Sequence, residues 1–150
     1  MSFYFLAKHP EYQRQLAADP SLTTQAVDEL LRLHAVVSLA RTATREVELC
    51  GMAIKPGEQV LLSLATANRD PQITPEPTTA RFDLARRQPH LGFGAGPHRC
   101  LGAPIATQIM AYALDSFHSR IREYRIPVDA PVWYSAGAMC TLHTLPLIWR

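Results

Sequence analysis

Within FGAGPHRCLG, Phe93 to Gly102, a single cysteine closes a loop that carries three glycines and a histidine–arginine pair, and a long apolar helical pattern follows it. A cysteine at the entrance of a helix faces free backbone N–H groups and the positive end of the helix dipole, and both favour thiolate over thiol. Such a sulfur can bind a metal. Gly94, Gly96 and Gly102 remove side chains where a flat ligand or a tight turn needs the backbone to come close. A lone thiolate on a rigid loop suits one axial position on an iron whose other donors come from a macrocycle; zinc would want more protein ligands nearby. The competing reading of Cys100 is a small buried core residue beside a glycine turn. Dinucleotide binding through the same glycines fails, because Arg99 stands where GxGxxG needs its third glycine and no strand precedes the loop.

The elements that must hold this loop are legible from hydropathy. From Ser21 to His34 the positions Val27, Leu30, Leu31 and His34 follow a helical period, with Ser21, Thr23 and Thr24 available as caps. The preceding segments 2–9 and 11–20 read as short helical pieces cut by Pro10 and Pro20. Val47–Leu49, Met52–Ile54 and Gln59–Ser63 read as strands of one small antiparallel sheet, with KPGE turning into the last. A proline-rich meander follows. From Leu101 to Arg120, Ile105, Ile109, Ala113 and Phe117, flanked by Ala106, Met110 and Leu114, form a wide stripe suited to a largely buried helix, with Pro104 harmless in its first turn. Short strands with a turn near Gly137 end the chain. The fold class expected is mainly α with small antiparallel β-sheets, in one unit over residues 1–150.

Composition sets the limits. The 150 residues are 47% hydrophobic and 19% charged, enough for an ordinary core. A net charge of +2 without a basic run points away from nucleic acid and from anionic membranes. No apolar run spans a bilayer and no signal peptide is readable, so the expectation is a cytoplasmic protein. Cys50, Cys100 and Cys140 are odd in number and form no CxxC pair, which leaves reduced thiols as the default.

The loop resembles the signature FxxGxxxCxG of the cytochrome P450 family, met by Phe93, Gly96, Cys100 and Gly102. ELLR resembles the family's ExxR, with Glu29 and Arg32 on one helical face, although by itself such a pair is what any surface helix offers. Arg81 in ARFD falls where the family places the third member of a Glu-Arg-Arg network that pins the meander. Arg41, in LARTATREVELCG, and His98 look like the family's two haem-propionate partners; a solvated polar side chain is the plainer reading of each. FLAKHPEYQRQL and TLPLIW extend the likeness, closest to the camphor-hydroxylase-like bacterial branch.

That resemblance implies the C-terminal, haem-binding portion of the cytochrome P450 fold, with haem b held by Cys100. It implies O2-dependent hydroxylation of a small apolar, terpenoid-like substrate, with electrons from a ferredoxin-type donor. Val36, Val37 and Leu39, and Ala138 and Met139 from the C-terminal turn, would approach that substrate. An ordinary core would use the same apolar residue types. A complete family member is more than twice as long and has a central helix across the distal haem face, which is not found here. The chain alone is therefore expected to be inactive, and the alternative is a non-catalytic fragment that binds haem or a partner without turnover. Thr107 and Ile109 also stand where the family has arginine and glutamate, which removes a charge for ferredoxin docking and leaves Arg99 among the remaining basic residues.

Overall fold

The structure is a computed structural model and describes residues 1–84 and 88–149; residues 85–87 of the expected meander, and residue 150, lie outside it. Four main helices, α1 (Ser2–Lys8), α2 (Pro10–Ala18), α3 (Thr23–Leu33) and α5 (Ala103–His118), surround the core, with a single turn, α4 (Leu64–Ala67), in the connection. The strands are β1 (Ser38–Thr42), β2 (Val47–Leu49), β3 (Met52–Ile54), β4 (Gln59–Ser63), β5 (Tyr124–Arg125), β6 (Trp133–Ser135), β7 (Thr141–Thr144) and β8 (Ile148–Trp149). This matches the expected class of helices with small antiparallel sheets.

Helix α3 forms where the apolar period placed it. Ala26, Val27, Leu30 and Leu33 bury one face against Leu6, Leu16, Phe82, Leu114 and Tyr124. Its caps differ from expectation. Asp19 accepts the N–H of Ser21 at 3.0 Å and starts a 3-10 turn over Pro20–Leu22 that runs straight into α3, so none of Ser21, Thr23 or Thr24 is the cap. The carboxylate of Asp19 is the better acceptor for a donor two residues on.

The three strands expected to form one sheet divide between two. β2 and β3 make a hairpin, Val47 opposite Ile54, whereas β4 pairs with β1, Ser38 opposite Ser63 through Thr42 opposite Gln59. The unforeseen β1 is the chain leaving α3. Its partner follows only after the whole β2–β3 hairpin, a pairing that no local period encodes. The turn near Gly137 joins β6 to β7 as expected.

Helix α5 departs most from its expectation. Ala103, Leu114 and His118 are buried, but Ile105, Ile109 and Tyr112 are 66%, 62% and 65% exposed. α5 packs on α3 and α2 by one side only. Among the described residues nothing covers the other side of the stripe, so the helix is half-buried and its outer face apolar.

A buried amide closes the bundle. Gln13, inaccessible to solvent, donates to the carbonyls of Leu6 (2.6 Å) and Tyr124 (2.9 Å) and accepts the N–H of Tyr124 (2.9 Å), tying α1, α2 and β5 together.

Candidate functional site around Cys100

The loop begins at Leu91. Its glycines are used for conformation: Gly94 and Gly96 hold φ of +71° and +69°, the left-handed region that only glycine enters freely. The resulting turn brings the N–H of Cys100 back onto the carbonyl of Phe93 at 2.9 Å, and the N–H of Arg99 onto the carbonyl of Gly96 at 3.1 Å. Gly102, the N-cap of α5, lies beneath the sulfur; a Cβ there would sit 3.8 Å from Sγ of Cys100. Pro104 occupies the first turn of α5 as expected.

Cys100 is exposed, and it lines a cleft of about 570 Å3 rather than packing into hydrocarbon. Phe93, Gly94 and His98 share that lining, and Leu30, Leu31, Val36, Val37, Leu39, Leu64, Met110 and Ala113 make its walls largely apolar. Arg99 faces the other way, into a separate polar cleft with Asp28, His90 and Thr107. The loop is thus a partition with sulfur and imidazole on one side and a guanidinium on the other.

The remaining expected site residues are placed unevenly. Arg41 is exposed on β1, two residues beyond Leu39 and so on the same strand face, but its guanidinium folds back onto the carbonyl of Ala40 at 2.8 Å and it does not line the cleft. Gly96 acts through the turn alone. Ala138 and Met139 do not line the cleft either, yet they are tied to the segment 36–39 that supplies part of its wall. Ser38 N–H donates to the carbonyl of Ala138 at 2.9 Å, Cys140 N–H donates to that of Val36 at 2.7 Å, and Val37 bridges Met139.

Glu29 and Arg32 are buried together, at 4% and 0% exposure, in a two-pronged pair of 2.7 and 2.9 Å. The other N–H groups of Arg32 donate to the carbonyls of Asn68 (3.1 Å), Pro77 (2.8 Å) and Thr79 (3.1 Å). All five guanidinium donors are therefore used, the condition under which a buried cation is tolerated. Arg81 joins through its main chain: its N–H donates to Glu29 at 3.2 Å, while its guanidinium lies exposed, 3.8 Å from Asp83. Its side chain is therefore not the third member expected of it; Arg32 already supplies the carboxylate with two charged donors.

Burial disfavours the charged form of two histidines that flank the site. Burial, with the nearby charge of Arg69 adding to it, brings His34 on the cleft wall down to about 4. Burial also lowers His90, against the opposing pull of Asp28; its Nδ1 accepts the N–H of Gly92 at 3.1 Å, leaving Nε2 toward Asp28 at 4.0 Å.

The residues present fit a flat iron macrocycle. An accessible thiol stands at the start of a helix, in a largely apolar cleft whose loop backbone is kept low by Gly94, and a polar imidazole lies nearby. Asn68 and Gly92, which also shape this loop, went unmarked in the sequence. An asparagine in NRDP reads as an ordinary turn residue, and Gly92 stands outside the signature.

Comparisons with known proteins give the family. Nocardicin C N-oxygenase of Nocardia uniformis subsp. tsuyamanensis is 37% identical over 99% of the chain, which covers 38% of that protein. The crystal structure of cytochrome P450 CYP101C1 superposes over 100% of the chain and 38% of its own length, with a TM-score of 0.91 at 34% identity. That of P450BioI, in complex with an acyl carrier protein ligated to hexadec-9Z-enoic acid, covers 99% of the chain and 39% of its own, with a TM-score of 0.88 at 32% identity. The chain thus spans less than two fifths of these relatives. With the cytochrome P450 family profile matching residues 18–129 as well, the chain belongs to the cytochrome P450 family.

Proposed function

We propose that the chain is the haem-binding part of a haem-thiolate monooxygenase, with Cys100 as the axial ligand of haem b. The observation that carries this is the accessible Cys100 sulfur at the foot of a largely apolar cleft, on a loop bent by two left-handed glycines. Bound there, haem supplies the redox chemistry that activates dioxygen for hydroxylation. The chain's own residues ligate, orient and exclude water. His98 lies within the cleft lining, and Arg41, once released from the Ala40 carbonyl, would be the charged partner for a propionate.

Val36, Val37 and Leu39 give the substrate an apolar wall, and Ala138 and Met139 extend it through their bonds to the same segment, which favours a small hydrocarbon-like molecule of terpenoid type. Electrons come from a ferredoxin-type donor on the opposite side of the loop, where Arg99 supplies positive charge. Among the described residues no helix is long and apolar enough to cross a membrane.

The test is the ferrous carbonyl spectrum of the chain loaded with haem, unmutated and with Cys100→Ala. A thiolate-type band that vanishes on substitution supports ligation; identical spectra overturn it. The exposed apolar face of α5 favours a second reading for the chain in isolation, haem binding without turnover. Hydroxylation of a small terpene by the purified chain with a ferredoxin system would overturn that second reading.

A further inference from the structure

Asn68 lies outside the cysteine loop, buried at 4% exposure, and carries contacts that its position in a turn does not require. Its N–H closes α4 on the carbonyl of Leu64 at 3.0 Å, and its carbonyl receives Nη1 of Arg32 at 3.1 Å. Its side-chain Oδ1 accepts the N–H of Leu91 at 2.6 Å, the point where the loop begins. Nδ2 is buried and has no acceptor among the described residues. An unsatisfied buried donor is a cost that a residue serving only as a local turn former has no reason to carry.

Leu91 is held on its other side as well. A Cβ on Gly92 would approach the carbonyl of Leu31 in α3 to 3.0 Å, so the chain at this point is pressed against the helix that bears Glu29 and Arg32. From Leu91 the bonds continue toward the sulfur: its carbonyl accepts the N–H of Gly94 at 2.7 Å, and the carbonyl of Phe93 accepts that of Cys100 at 2.9 Å. One residue therefore joins the buried ion pair to the first fixed point of the loop.

We propose that Asn68 is a positioning residue, which sets the placement of Cys100 by anchoring the Leu91 amide to the Glu29–Arg32 pair. As far as it concerns iron, this rests on Cys100 being the axial ligand; the anchoring itself does not. Asn68→Leu keeps the size and removes the acceptor, while Asn68→Asp keeps an acceptor for Leu91.

Hydrogen–deuterium exchange on the haem-free chain reads the anchor directly. In Asn68→Leu the Leu91 and Cys100 amides exchange about fivefold to tenfold faster, the factor expected for one net hydrogen bond, and in Asn68→Asp they stay protected. With haem, Asn68→Leu loses part of the thiolate-type carbonyl band and Asn68→Asp restores it. Unchanged exchange in Asn68→Leu, or equal loss in both variants, overturns the proposal. Should Asn68→Leu not fold, the unmutated chain decides: a Leu91 amide protected like that of Cys100 supports the anchor, and a freely exchanging one overturns it. If no variant shows a cysteine-dependent band while Leu91 still responds, the haem reading falls and the anchor stands.

Discussion

Arg32 and Glu29, one helical turn apart, meet at 2.7 and 2.9 Å in the interior of the protein, and Arg32 spends its remaining N–H groups on three main-chain carbonyls of the connection that follows α4. An ion pair of this kind is costly to break from one side, because the surviving charge stays buried.

Glu29→Gln therefore costs about 3–5 kcal/mol of folding stability, read from urea unfolding. Unlike many buried pairs, this one is not replaced well by hydrocarbon. Glu29→Met combined with Arg32→Met stays destabilised, since the carbonyls of Asn68, Pro77 and Thr79 lose their donor. Recovery of stability in the double variant would contradict this account.

His34 gives the stability a pH dependence. Burial holds the folded imidazole near 4, below its ordinary 6.5, so the unfolded chain binds the proton first. The contribution is full above about 6.5 and is lost as pH falls through about 4. His90 and His118, both lowered by burial, act in the same sense. His34→Phe, which keeps a ring against Phe5, makes unfolding free energy between these pH values measurably flatter. An unaltered slope would show that His34 is not the group responsible.

Gly96 and Gly102 belong to the same signature but answer differently to alanine. Gly96 has φ of +69° with open space around its Cβ position, so Gly96→Ala costs about 1–2 kcal/mol through the backbone alone. Gly102 has φ of −78° and room to 3.8 Å, so Gly102→Ala changes stability by about 0.5 kcal/mol or less. Thermal melts of the two variants compare them directly.

The exposed stripe of α5 predicts self-association. Ile105→Lys with Ile109→Glu lowers sedimentation-average mass and dye binding and leaves circular dichroism unchanged. No change in mass would show that another surface associates.

The helices and the local strands were readable because each is written in a short period: Val27, Leu30 and Leu31 repeat at helical spacing, and Val47 to Ile54 turns back on itself at Gly51. The cysteine loop was readable because glycine positions report backbone demands directly. What escaped depends on contacts between distant segments: the pairing of β1 with β4, the grip of Gln13 on Tyr124, and Asn68. The apolar period of α5 announced a face needing cover without saying what covers it. Arg81 was placed in the right neighbourhood, but whether a residue acts through side chain or main chain is not a property of its letter.

Because the Arg32 guanidinium grips oxygens that every amino acid possesses, its hold on Asn68, Pro77 and Thr79 asks nothing of their side chains; even Pro77, which has no N–H, supplies its share. What cannot drift is the count. A single insertion or deletion between the three gripping points would misalign them, so evolution along this segment is expected to conserve its length more strictly than most of its letters.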